Sequence, residues 1–143
     1  GSEMCIRDSL MTNIAKATRR IFPEKIPEVV SSLIQEMSNE AQRLLNLSSE
    51  SYLHGDSGLA AALDDIDDRL DDLNVETVEA IFEKHNDKNL TLNVAVQLAL
   101  ICRYYERIGD HAVNIGERVR YIVDGWTAER TGAARLTDRQ KNK

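Results

Sequence analysis

The chain has 143 residues and a formal net charge of −6, and this length suits one domain that can bury a core. Only 5% of the residues are aromatic, and glycine and proline are scarce, which favours helices over a β-sandwich or a barrel. The negative charge argues against nucleic acid or an anionic membrane surface as a partner, so basic protein surfaces and cations are the expected ones.

The sequence contains no long apolar run and no secretory signal pattern, so we expect a cytoplasmic protein without direct membrane insertion. The first two residues are typical of a cloning scar, and no hydrophobic periodicity follows them, which predicts a non-native leader over residues 1–9. Residues 13–21 align with residues 114–122, where Asn, Ile, Arg and Ile coincide. This match indicates that residues 10–24 are a remnant of the last helix of a preceding copy of the domain, with chance as the alternative.

Two long amphipathic helices are predicted first in the domain of residues 25–125. Pro27 suits position N1 of a helix that spans about 27–53. A breaker over residues 54–58 follows, and its Asp and Ser can cap the second helix, which reaches about Lys84. The apolar stripe of this second helix consists of Leu63, Ile66, Leu70, Leu73, Thr77, Ile81 and Phe82.

The third predicted helix runs from about Leu90 to Asp124, and Gly125 suits its C-cap. Its apolar seam alternates steps of three and four residues: Leu98, Ile101, Tyr105, Ile108, Ala112, Ile115, Val119 and Ile122. Short turns between long helices predict an all-α, antiparallel three-helix bundle. Residues 126–143 are polar, and we expect a disordered tail there.

Two acidic pairs carry the functional signal. Asp67 and Asp71, and likewise Glu106 and Asp110, lie four residues apart, so on a helix both members of a pair can reach one cation. Carboxylate oxygens suit divalent or trivalent ions, and Fe, Mn, Mg or Zn are candidates whose identity the residues do not fix.

Two alternatives to metal binding stay open. The first pair belongs to a segment with six aspartates in nine positions, and charge runs of this kind are usually solvated faces. We expect Asp65, Asp68 and Asp72 to be solvated, whereas Asp64 lies on the same flank of the stripe as the pair and is a possible further ligand. For the second pair, the neighbouring Arg103 and Arg107 permit a plain ion-pair explanation.

Three more residues near the second pair attract attention. Gly109 in mid-helix costs about 1 kcal/mol relative to Ala, which indicates close helix approach or ligand access. His111 is a possible ligand, although a lone helix histidine is more often a hydrogen-bonded flank residue. Asn114 lies one turn after Asp110 and either orients a ligand or simply caps side-chain polarity.

The run of residues 103–119 resembles the signature of the PhoU family. Residues 67–73 are similar to the family's partner motif, which is an acidic residue, three intervening positions and then Asp-x-Leu. The resemblance implies a protein of two repeated three-helix domains, of which this chain holds mainly the C-terminal one. It also implies surface metal clusters on E/D-x-x-x-D motifs. These motifs correspond here to Asp67, Asp71, Glu106 and Asp110.

The resemblance further implies a non-enzymatic negative regulator of phosphate uptake and of the phosphate-starvation response. Its partners would be the ATPase of the phosphate transporter and a sensor histidine kinase. An accessory domain of another phosphate transporter and a metal-free helical scaffold are the alternatives. A di-iron enzyme is disfavoured because the chain has no Glu-x-x-His pair. Loss of the first domain would expose an apolar surface, so we predict a homo-oligomer.

Overall fold

The computed structural model describes residues 2–22 and 24–125, with side chains from residue 8 onward. This part of the chain forms four helices and no strand: α1 Ser2–Ile21, α2 Glu28–His54, α3 Ser57–Asn86 and α4 Leu92–Asp124. The all-α class is therefore confirmed, and the bounds of α2, α3 and α4 follow the three predicted helices closely. The predicted disordered tail at residues 126–143 lies outside the described residues.

The helix ends are set by local backbone chemistry. Asp56 caps α3 by accepting a hydrogen bond from the Leu59 backbone N–H at 2.9 Å, as the sequence predicts. Gly125 ends α4 with φ of 65°, in the left-handed region that glycine adopts without strain, which confirms the predicted C-cap. Pro27 is the N-cap of α2 and not its first helical residue, because its ψ of 139° is extended.

Helices α2, α3 and α4 pack against one another in all three pairings and form the predicted three-helix bundle. The predicted seam of α4 is buried over most of its length, but Ile122 in the last turn is 72% exposed. Phe82, predicted to lie in the apolar stripe of α3, is 60% exposed, because it flanks the stripe beside the buried Ile81. The fully buried large side chains include Met37, Leu44, Leu63, Leu70, Ile81, Leu98 and Ile108.

Helix α1 packs along α4, on the outside of this bundle. Its contact stripe recurs at helical spacing and is buried: Leu10, Ile14, Ala17 and Ile21. The backbone of residues 2–9 belongs to α1, whereas the sequence predicts a leader outside the fold at residues 1–9. Once residues 10–21 are helical, each added residue gains a hydrogen bond, so the helix extends without an apolar pattern of its own. The origin of the leader stays a prediction.

Candidate metal centre

Small residues on α4 let α3 approach closely. Ala95, Cys102, Gly109 and Gly116 recur every seven residues, and all of them are buried. A Cβ atom at Gly109 would lie 2.7 Å from Leu70 Cδ2 and 2.8 Å from Asp67 Oδ1, closer than real Cβ contacts. The mid-helix glycine therefore serves close helix approach, one of its two predicted roles.

Asp67 lies beside Gly109 and is half-buried. Its Oδ1 atom is buried and accepts no hydrogen bond in the described part of the chain. Burial, followed by the negative charges of Asp71 and Asp110, raises the pKa of Asp67 from 3.8 to about 7. An uncompensated carboxylate oxygen of this kind is costly unless a proton or a cation neutralises it.

The other predicted ligands lie around Asp67. Asp71 is an exposed residue of α3, but its carboxyl group is partly desolvated. This desolvation, followed by the charges of Glu106 and Asp110, raises the pKa of Asp71. Because the charges of Glu106 and Asp110 on α4 act on the carboxyl groups of α3, both acidic pairs lie in one region. All four predicted residues thus belong to a single acidic cluster at the rim of the α3–α4 contact.

Glu106 already has partners within the protein. Arg103 Nη1 lies 3.1 Å from Glu106 Oε1, which supports the ion-pair interpretation of this glutamate. Asn74 Nδ2 donates a hydrogen bond of 2.5 Å to Glu106 Oε2. Asn74 was not predicted as a site residue, although its position seven residues after Asp67 places it on the same face of α3 and could have indicated it.

The possible additional ligands differ in their surroundings, and His111 lines the same cavity as Asp110. Asp64 is exposed, and its Oδ2 lies 3.9 Å from Arg120 Nη1. His111 is half-buried and faces a cavity of about 480 Å³, whose other lining residues include Leu10 of α1. Asn114 is exposed. The solvated aspartates predicted on α3 are exposed as expected: Asp65, Asp68 and Asp72.

The chemistry of the candidate ligands suits a hard cation, because they are carboxylate oxygens and one of them, Asp67 Oδ1, is buried and accepts no hydrogen bond among the described residues. Among the described residues, however, no three His, Cys, Asp or Glu side chains stand close enough together to hold an ion. Asp71 and Asp110 are both exposed, so their rotamers can change at little cost. A cation would therefore require these side chains to close around it.

Comparison with known proteins identifies the domain. A family model described as "PhoU domain" matches residues 34–119. The chain is 34% identical over 118 residues to the phosphate-specific transport system accessory protein PhoU homolog 1 of Mycobacterium tuberculosis. This match covers 82% of the chain and 52% of the relative. The homologue of the same name from Methanothermobacter thermautotrophicus is 30% identical over 114 residues, with 80% of the chain and 52% of the relative covered.

A third relative, PhoU homolog 1 of Thermotoga maritima, is 28% identical over 116 residues, which cover 81% of the chain and 50% of the relative. The chain thus spans about half the length of the curated relatives it matches. No solved structure matches the chain significantly. Within residues 2–22 and 24–125, none of the helices has the length and apolar character that crossing a membrane requires.

Proposed function

The chain belongs to the PhoU family, and we propose that it is an accessory protein of a phosphate-specific transport system that acts by binding other proteins and not by catalysis. The names of its relatives support the link to phosphate transport. Its partners would be the ATPase of the transporter and a sensor histidine kinase, and its effect would be negative regulation in the cytoplasm. The net charge of −6 suits basic partner surfaces.

The acidic cluster would bind the regulatory cation. Asp67, Asp71, Glu106 and Asp110 are the ligands, and the buried, unpartnered Asp67 Oδ1 is the observation that carries this proposal. When bound, a divalent or trivalent ion supplies positive charge that neutralises the repelling carboxylates. Neutralisation changes which basic surfaces this face of the protein attracts, and so couples ion status to partner binding.

Calorimetric titration of metal-free protein with Mn²⁺ tests the cation site. We expect Asp67→Asn and Asp71→Asn each to weaken Mn²⁺ binding about tenfold or more, because each removes a charged ligand. The controls Asp65→Asn and Asp72→Asn remove the same charge from exposed positions on the same helix and should change the affinity less than about threefold. Equal effects at all these positions would mean that the ion is only attracted to a diffuse acidic face.

A metal-free scaffold is the second candidate function. The ion pair of Glu106 with Arg103 at 3.1 Å and its hydrogen bond from Asn74 favour it, since they occupy both oxygens of a proposed ligand. Elemental analysis of protein purified without chelator or metal resin separates the two functions. Bound metal in the wild type that is lost in Asp71→Asn supports the cation site, and metal-free wild-type protein supports the scaffold.

A further inference from the structure

An apolar pocket of about 280 Å³ opens between the end of α3 and the start of α4. Large side chains around it are exposed to solvent, with Phe82 60% exposed, Leu92 66% and Val96 47%. Exposed apolar side chains that cluster around a cavity are typical of a binding surface, whereas scattered ones need no explanation. The residues that line the pocket include Val78, Phe82, Leu92, Val96, Ala99 and Leu100.

The pocket and the acidic cluster lie on the same side of the α3–α4 pair. At about 100° per residue, Asp67, Asp71 and Val78 of α3 fall within about 40° of one another around the helix axis. On α4, Val96 and Asp110 fall within a similar angle. We call this continuous surface the α3–α4 flank, with an apolar end at the pocket and an acidic end at Asp67, Asp71 and Asp110.

The distance between the two ends of the flank is about the length of a short helix. Val96 and Asp110 are about 14 residues apart on α4, which corresponds to about 21 Å. Arg103 is paired with Glu106, and Arg107 lines a cavity together with Asp110. Two arginines thus face the four carboxylates of the acidic cluster, which leaves the acidic end with an excess of negative charge. A ligand of matching length would meet apolar side chains at one end and uncompensated negative charge at the other.

We propose that the α3–α4 flank binds an amphipathic helix of a partner protein, which inserts apolar side chains into the pocket and places Lys or Arg beside the acidic end. The groove between two helices accepts a third helix in ordinary bundle geometry, and the charges are complementary. This inference rests on the proposed role in protein binding and specifies the partner's chemistry. It does not require the cation site.

A second copy of the chain fits this flank poorly. A two-fold contact brings the same surface of both copies together, so the acidic end would meet either another acidic end or the apolar pocket. Like charges repel in the first arrangement, and in the second the carboxylates are desolvated without partners. A basic helix avoids both costs, which is why we assign the flank to a partner and not to self-association.

A designed peptide tests this assignment. The probe is a fluorescein-labelled helical peptide with two leucines one turn apart near one end and lysines about 14 residues away. A permuted peptide of the same composition places the lysines beside the leucines. We expect the first peptide to bind the full chain in the micromolar range by fluorescence anisotropy and the permuted peptide to bind about tenfold more weakly.

Variants at both ends assign the binding to the flank. Phe82→Ser and Asp71→Asn should each lower the affinity for the first peptide about tenfold. The matched controls Tyr121→Ser, at a 62% exposed position outside the pocket, and Asp72→Asn should leave its affinity unchanged. Circular dichroism checks that each variant keeps its helices.

Three results would overturn the inference: no peptide binding, equal binding of the permuted peptide, or binding that Phe82→Ser does not weaken. Sedimentation that shows a dimer lost in Phe82→Ser would instead assign the flank to a second copy. The Mn²⁺ titration remains an independent measurement, so loss of the cation site and loss of the docking surface are distinguishable.

Discussion

Two of the three contacts that helix α4 makes, those with α1 and with α3, differ in construction. Against α1 it meets a stripe of apolar side chains, among them Ile14 and Ala17. Against α3 it presents small residues, and at Gly109 the neighbouring helix approaches so closely that a Cβ atom has no room. Where large apolar side chains lie between two helices, the polar side chains that flank the contact stay far apart. Where a glycine lies at the contact, the helices are closer and the flanking polar side chains approach one another. Of these two contacts, it is the α3–α4 contact that brings acidic groups from two helices into one cluster.

The largest effect is expected from Gly109→Val, which breaks the glycine contact. The added side chain would overlap Leu70 Cδ2 and Asp67 Oδ1, so we expect a loss of about 3 kcal/mol in the free energy of unfolding and much weaker Mn²⁺ binding. Urea denaturation measures the loss. The control is Gly58→Ala, where the new Cβ meets its nearest atom at 3.4 Å, and little destabilisation is expected there.

Ile14→Ala weakens the contact of α4 with α1. Truncation of this buried side chain should lower the free energy of unfolding by about 2 kcal/mol, because it leaves a cavity between α1 and α4. Mn²⁺ affinity should stay at the wild-type value, since α1 does not supply the acidic cluster. A parallel loss of Mn²⁺ affinity would show that the two contacts are not separate in function.

Asp67→Asn tests the acidic side of the α3–α4 contact through the pH dependence of stability. The pKa of Asp67 is about 7 in the fold and 3.8 ordinarily, so between these values the folded state binds more protons than the unfolded state. This carboxyl group therefore stabilises the metal-free fold at low pH, and its contribution is lost as the pH rises through about 7.

Removing the charge should thus raise the free energy of unfolding by about 1 kcal/mol near pH 8, a value discounted because the group is only half-buried. The gain should shrink towards pH 5, and chemical denaturation at both values measures it. A gain that is independent of pH would contradict the assignment of the repulsion to Asp67.

The smallest effect is expected from Arg103→Ala, which removes the ion pair of Glu106. Because Arg103 is more than half exposed, the cost in stability should be about 0.5 kcal/mol or less. Mn²⁺ affinity should rise a few-fold, since Glu106 loses a competing cation. Arg43→Ala, which removes a similar pair with Glu40 at 3.8 Å, is the control and should leave the affinity unchanged.

Long periodic segments made the three helices of the bundle predictable, and Asp56 and Gly125 marked their ends because capping chemistry is local. The exposure of Phe82 was not predictable from the sequence. Phe82 and Ile81 are adjacent apolar residues that point to different sides of α3, and the packing of α4 against α3 decides which of the two is buried. The acidic pairs were found by spacing within each helix. The hydrogen bond from Asn74 to Glu106 was missed because it depends on the register between α3 and α4.

The central claim is that the acidic pairs of α3 and α4 form one site across Gly109, and Mn²⁺ tests it most directly. In nuclear magnetic resonance spectra of the metal-free protein, a small amount of Mn²⁺ should broaden the side-chain carboxyl signals of Asp67, Asp71, Glu106 and Asp110 together. The signals of Asp65 and Asp72 should broaden much less. Broadening confined to one helix, or spread evenly over all the aspartates of α3, would contradict the claim.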